Sequence, residues 1–77
     1  YVNWVSCGAA LAGVVVQYGV PVAKVVKWLK EGYKIFGGIK GLITAIRSGA
    51  AAAEIGEDAV SVLEGVLGVN GVVSACS

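Results

Sequence analysis

The chain has no histidine and no methionine, and it has one proline, one phenylalanine and two cysteines in 77 residues. Without histidine it lacks the side chain that most often carries acid–base chemistry near neutral pH. With only two cysteines beside that absence, it cannot assemble a nitrogen- and sulfur-rich metal set. Glu54, Glu57, Asp58 and Glu64 share one helical stripe, the pattern of a solvated face rather than of paired catalytic carboxylates. Gly37-Gly38-Ile39-Lys40-Gly41 lacks the spacing of a phosphate-binding loop. These absences argue against an enzyme and against a bound metal or other cofactor. The pI of 8.0, with aromatics that do not interleave with the lysines, disfavours a nucleic-acid partner.

Apolar side chains take the place of the missing polar ones. Hydrophobic residues make up 57% of the chain and charged ones 14%, against roughly 45–50% and roughly 25% in ordinary globular proteins. Mean hydropathy is +0.82. A single domain this short buries a limited fraction of its surface. Some of the apolar excess must therefore face lipid, a partner or a second copy, and self-association is one expected outcome.

A chain that starts at Tyr1 and holds no methionine reads as a mature peptide whose leader was removed on export, since it lacks the basic n-region of a signal peptide, the alternative being a fragment of a longer chain. The expected location is therefore outside the cell. Cys7 and Cys76 lie near opposite ends and admit one pairing. An oxidised pair is expected in an exported peptide, the alternative being two buried thiols acting as small hydrophobes. Closing that loop would remove roughly 4.4 kcal/mol of unfolded-state entropy, comparable to the whole stability expected of so small a domain.

Charge is unevenly placed. Residues 1–50 hold all six cations (Lys24, Lys27, Lys30, Lys34, Lys40 and Arg47) and the acid Glu31, hence +5; residues 51–77 hold four acids, hence −4. An anionic surface is the natural partner for the basic part. Alternatively, the acidic segment packs beside the basic one.

Hydrophobic period gives the secondary structure. Asn3 can cap an apolar helix over 4–17, Pro21 suits the first position of the next, and Gly37-Gly38 breaks the chain. Between them, Lys24, Lys27, Lys30, Glu31 and Lys34 fall within an arc of about 120°, opposite Val22, Val25, Val26, Leu29, Tyr33 and Phe36. Trp28 lies on the border between the faces. Both faces stay in phase across Gly32, so the helix should run through it and alanine there should raise helicity without disturbing the fold. A third helix over 39–48 should be capped by Gly49. The tract 50–53 favours helix, and a single acidic-faced helix should run over 54–67, ended by Gly68. Asn70 should cap a last short helix carrying Cys76. The expectation is an all-α compact bundle of about five short helices in one domain, 1–77, closed by a disulfide between the terminal regions. No segment is a convincing membrane span; 4–23 is the nearest, and it is interrupted by Gln17 and Pro21.

Asn3-Trp4 followed by Cys7, a central Gly37-Gly38 with Lys40, and an ending Leu63…Gly68-Val69…Gly71…Cys76 resemble the closticin-type bacteriocins, a group that includes a protease-activated antimicrobial peptide of propionibacteria. The layout is also similar to that of circular bacteriocins with a saposin-like fold, whose termini are joined by a peptide bond. The resemblance implies a secreted antimicrobial peptide, cut from a precursor, that kills related Gram-positive bacteria, with an immunity protein as partner in the producer.

The membrane-binding residues expected from the basic face are Lys24, Lys27, Trp28, Lys30, Lys34, Lys40 and Arg47, the lysines meeting anionic bacterial lipids and Trp28 sitting at headgroup depth. Two other readings remain: a non-lytic saposin-like lipid-binding or signalling peptide, and a small membrane subunit using residues 4–23.

Overall fold

In the computed structural model, which describes residues 2–77, the first helix is started by Asn3. Its Oδ1 accepts hydrogen bonds from the amides of Val5 (3.1 Å) and Ser6 (3.3 Å), so two donors that a helix start leaves free are satisfied. Helix α1 (Trp4–Val15) tightens into a 3-10 turn at Val16–Tyr18. Pro21, in an extended conformation, is the cap of α2 (Val22–Phe36) rather than its first helical residue, and its carbonyl accepts from the amides of Lys24 and Val25.

Helix α2 passes through Gly32 without a break, as the period of its faces predicts. It ends at Gly37, whose φ of 82° is left-handed, and the amides of Gly37 and Gly38 both donate to the Tyr33 carbonyl. That geometry satisfies orphan carbonyls of the last turn and frees the chain to change direction. Helix α3 (Ile39–Ser48) follows and ends at Gly49.

The next segment departs from the sequence expectation. Instead of one helix over 54–67 there are two, α4 (Ala50–Ile55) and α5 (Glu57–Val66). Gly56 separates them at φ 93°, ψ 155°, backbone space that is essentially reserved to glycine. A helical wheel does not register a single non-helical residue, so the acidic stripe looked continuous. Glu57 and Asp58 thereby occupy the first turn of α5, where the helix dipole favours negative charge. A sixth helix, α6 (Asn70–Ala75), begins at Asn70 itself; the cap position falls to Val69 and carries no side-chain bond, so the expected Asn70 cap is not made.

The α-helices therefore number six among the described residues, and no strand interrupts them. α1 packs against α2, α5 and α6, while α2 also packs against α3, α4 and α5. The core draws Leu11 and Val15 from α1, Val25 and Leu29 from α2, Leu42 from α3, Ala51 from α4, Leu63 and Val66 from α5 and Val72 from α6. Cys7 and Cys76 are fully buried within it and form the expected disulfide, with Cα atoms 4.6 Å apart. The result is an all-helical bundle of 28 × 27 × 19 Å.

Gly32, Gly41 and Gly65 matter for packing rather than for turning, the last lying against the hydroxyl end of Tyr18. A Cβ on the buried Gly32 would lie 2.7 and 2.9 Å from the two terminal methyls of Leu42, which is itself wholly buried. Alanine at 32 therefore does not fit unless Leu42 moves, which overturns the expectation that this position tolerates it freely. A Cβ on Gly41 would run into the backbone carbonyl oxygen of Phe36.

Candidate functional site

Amphipathic α2 turns its apolar face into the core, so its opposite face must be solvated. Lys24, Lys27, Lys30 and Lys34 are all exposed, as is Glu31. Trp28 is half-buried between them and the core, at the border that the wheel assigns it. Lys24 Nζ lies 5.4 Å from the Trp28 ring centroid, within the range of a cation–π contact. Lys30 Nζ lies 5.5 Å from the centroid of Trp4, in the first turn of α1. The two indoles thus each carry an ammonium group at their faces.

Trp4 also packs on Tyr33, ring centroids 5.3 Å apart and tilted by 45°. The Tyr33 hydroxyl donates to the carbonyl oxygen of Cys76. Burial pushes the Tyr33 phenol up to about 12, since a phenolate there would lose its hydration. The chain Lys30–Trp4–Tyr33–Cys76 ties the basic face of α2 to both ends of the bundle beside the disulfide. Sequence reasoning placed Tyr33 on the apolar face but gave no sign of its bond to Cys76; the only signal was a hydroxyl on a face meant for the core, which must find a partner.

The other two expected residues stand apart. Lys40 is exposed in the first turn of α3 and Arg47 is exposed in its last turn. Arg47 lines a small cavity of about 170 Å³ together with Glu64, Ile43 and Ile46. A broader cleft of about 750 Å³ opens where α2 faces the start of α5, and Lys24 and Trp28 share it with Glu57 and Asp58. So the acidic segment does come beside the basic one, at Lys24 and at Arg47. Lys27, Lys30 and Lys34 line neither of these two clefts. The structure therefore splits the seven expected residues: five on α2 form one surface, while Lys40 and Arg47 lie on a separate helix.

A second surface was not singled out in the sequence. The outer side of α1 and its turn exposes Val5, Ala9, Ala12, Gly13 and Val16, with Val5 83% and Val16 75% accessible. The signal was present: no charged residue precedes Lys24, so whichever side of α1 faced outward had to be largely apolar.

Among the described residues no group of three or more His, Cys, Asp or Glu could hold a metal ion. Among the described residues no single helix is long and apolar enough to cross a membrane, and Trp4–Tyr18 with Val22–Phe36, long and apolar enough only when taken together, are bent by 114°. The chain matches no protein-family model, no curated protein and no solved structure.

Proposed function

We propose that this chain is a secreted bacteriocin that binds anionic bacterial membranes and permeabilises them. The observation that carries the reading is the outer face of α2, where four exposed lysines accompany a border tryptophan on a disulfide-closed bundle. Ammonium groups near an anionic surface contribute about 1 kcal/mol each. Their stems can lie along the interface while the heads reach phosphates. An indole of mixed polarity suits headgroup depth. The apolar excess of the chain, with few charges to hold it in water, supports lipid as the surface it meets. The resemblance to the closticin-type bacteriocins points the same way.

The test is partitioning onto anionic and zwitterionic vesicles, with dye release and growth inhibition measured beside it. Lys27→Gln combined with Lys34→Gln should leave folding nearly unchanged, because both side chains are exposed. It should weaken binding to anionic vesicles on the order of 10–30-fold, from about 1 kcal/mol per cation. Binding by the natural sequence should also fall with added salt, as the screening length shortens to about 8 Å at 0.15 M. A folded double variant that binds and kills like the parent would overturn electrostatic docking. Lipid extraction without dye release would favour a non-lytic lipid-binding role instead.

A further inference from the structure

We infer that the outer face of α1 is the surface that enters the membrane, lying in the plane of the lipid interface while the bundle stays closed. The inference rests on the membrane-binding reading and names which part of the molecule meets hydrocarbon. At 100° per residue, Val5, Ala9, Ala12, Gly13 and Val16 occupy an arc of about 100°, with Ser6 and Gln17 along one edge. All five are exposed, and the opposite side of the helix, Cys7, Leu11 and Val15, is buried. The strip is therefore the face of α1 that the core leaves over.

Its dimensions and surroundings select the occupant. From Val5 to Val16 the strip runs about 16 Å along the axis, roughly half the thickness of a bilayer core, so it can lie in the interface but cannot span. At roughly 10 Å wide it offers on the order of 200 Å², far below the ~800 Å² per partner of a stable dimer. A second copy of the chain is thus a poor match for this strip alone. A lipid surface needs no such area from one strip, because the neighbouring helix adds charge. Lys30 Nζ sits over the ring of Trp4, the residue next to Val5. On the same wheel Trp4 stands about 130° from the centre of the strip, on the side of Leu11 and Val15, so the strip supplies the apolar contact and Lys30, on the adjacent helix, supplies the charge.

The experiment uses the full oxidised chain and vesicles of phosphatidylglycerol. Val5→Gln with Val16→Gln replaces two side chains that touch little of the fold, so the thermal midpoint should hold. Vesicle affinity should fall on the order of 30-fold, since each valine forfeits most of its hydrocarbon burial. Val5→Leu with Val16→Leu should bind at least as tightly as the parent. A glutamine variant that is folded and binds like the parent, while the parent binds well, overturns the α1 assignment and leaves the membrane reading standing. A parent that binds no vesicles overturns both. A parent that is dimeric in lipid-free solution, with a monomeric glutamine variant, assigns the strip to a second copy and overturns the lipid assignment.

Discussion

Replacing Gly32 by alanine should destabilise the protein by about 1 kcal/mol, although the residue lies in the middle of a helix where alanine is ordinarily the better choice. Helix propensity alone favours alanine over glycine by about 1 kcal/mol. Against this stands Leu42, whose two methyls lie 2.7 and 2.9 Å, and whose branching carbon 3.3 Å, from where the new methyl would go. Leu42 has no accessible surface, so it can retreat only by displacing other core side chains. Overpacking of that kind costs about 1–3 kcal/mol, which exceeds the propensity gain. Thermal unfolding of the oxidised protein, followed by far-ultraviolet circular dichroism, should show a midpoint about 4–8 °C lower. The decisive comparison is the same substitution in a Leu42→Val background, where shortening the side chain frees the space. There Gly32→Ala should become neutral or stabilising, giving a coupling of roughly 1–2 kcal/mol between the two sites. A raised midpoint for the single variant, or an equal effect in both backgrounds, would refute the packing argument.

Further outcomes follow from other contacts. Reduction of Cys7–Cys76, which adds ~2 Da to the intact mass, should lower the melting midpoint by more than about 10 °C, since roughly 4 kcal/mol of loop entropy is returned to the unfolded chain; a midpoint unmoved by reduction would show that the core holds the ends without the bridge. The Tyr33 phenol, held near 12 by burial against about 10 when unfolded, favours the folded state fully below pH 10 and loses that effect as pH rises towards 12. A phenolate absorbance titration should therefore show a late component near 12 that disappears in Tyr33→Phe. Gly41→Ala should cost more than Gly32→Ala, because its methyl meets the backbone carbonyl of Phe36 rather than a side chain that can rotate; comparable urea midpoints for the two variants would contradict this.

Much of the bundle could be read from the sequence because the information is local. The Asn3 cap, the ends at Gly37 and Gly49, and the two faces of α2 each depend on residues within a turn or two of one another. The Cys7–Cys76 bridge is a long-range contact, yet a chain with two cysteines offers no other pairing. What was not legible depended on distant partners or on a single torsion. Gly56 breaks the acidic helix through one φ/ψ pair that leaves the spacing of apolar residues almost untouched. Gly32 is compatible with helix on its own, and only the position of Leu42 makes its hydrogen side chain necessary. For the candidate site, the exposed face of α2 followed directly from periodicity. The separation of Lys40 and Arg47 from it, and the clefts that Lys24 shares with Glu57 and Asp58 and Arg47 with Glu64, depended on how α3 and α5 pack.

The bridge from α1 to the end of α6 also makes the covalent chain a ring over 70 of its 77 residues, Cys7 to Cys76. A ring answers a protease differently from a line. One cut at the exposed Gly37 turn would open the ring without releasing a fragment, and both halves would remain tethered through the buried sulfurs. The nicked molecule would keep its core contacts at an effective concentration set by the tether, so the two pieces could stay docked where free ones would part. Separation would require a second cut or a reductant able to reach a disulfide that has no accessible surface. A preparation can therefore be fully cleaved at one site, run as a single species under non-reducing conditions, and fall apart only when thiol is added.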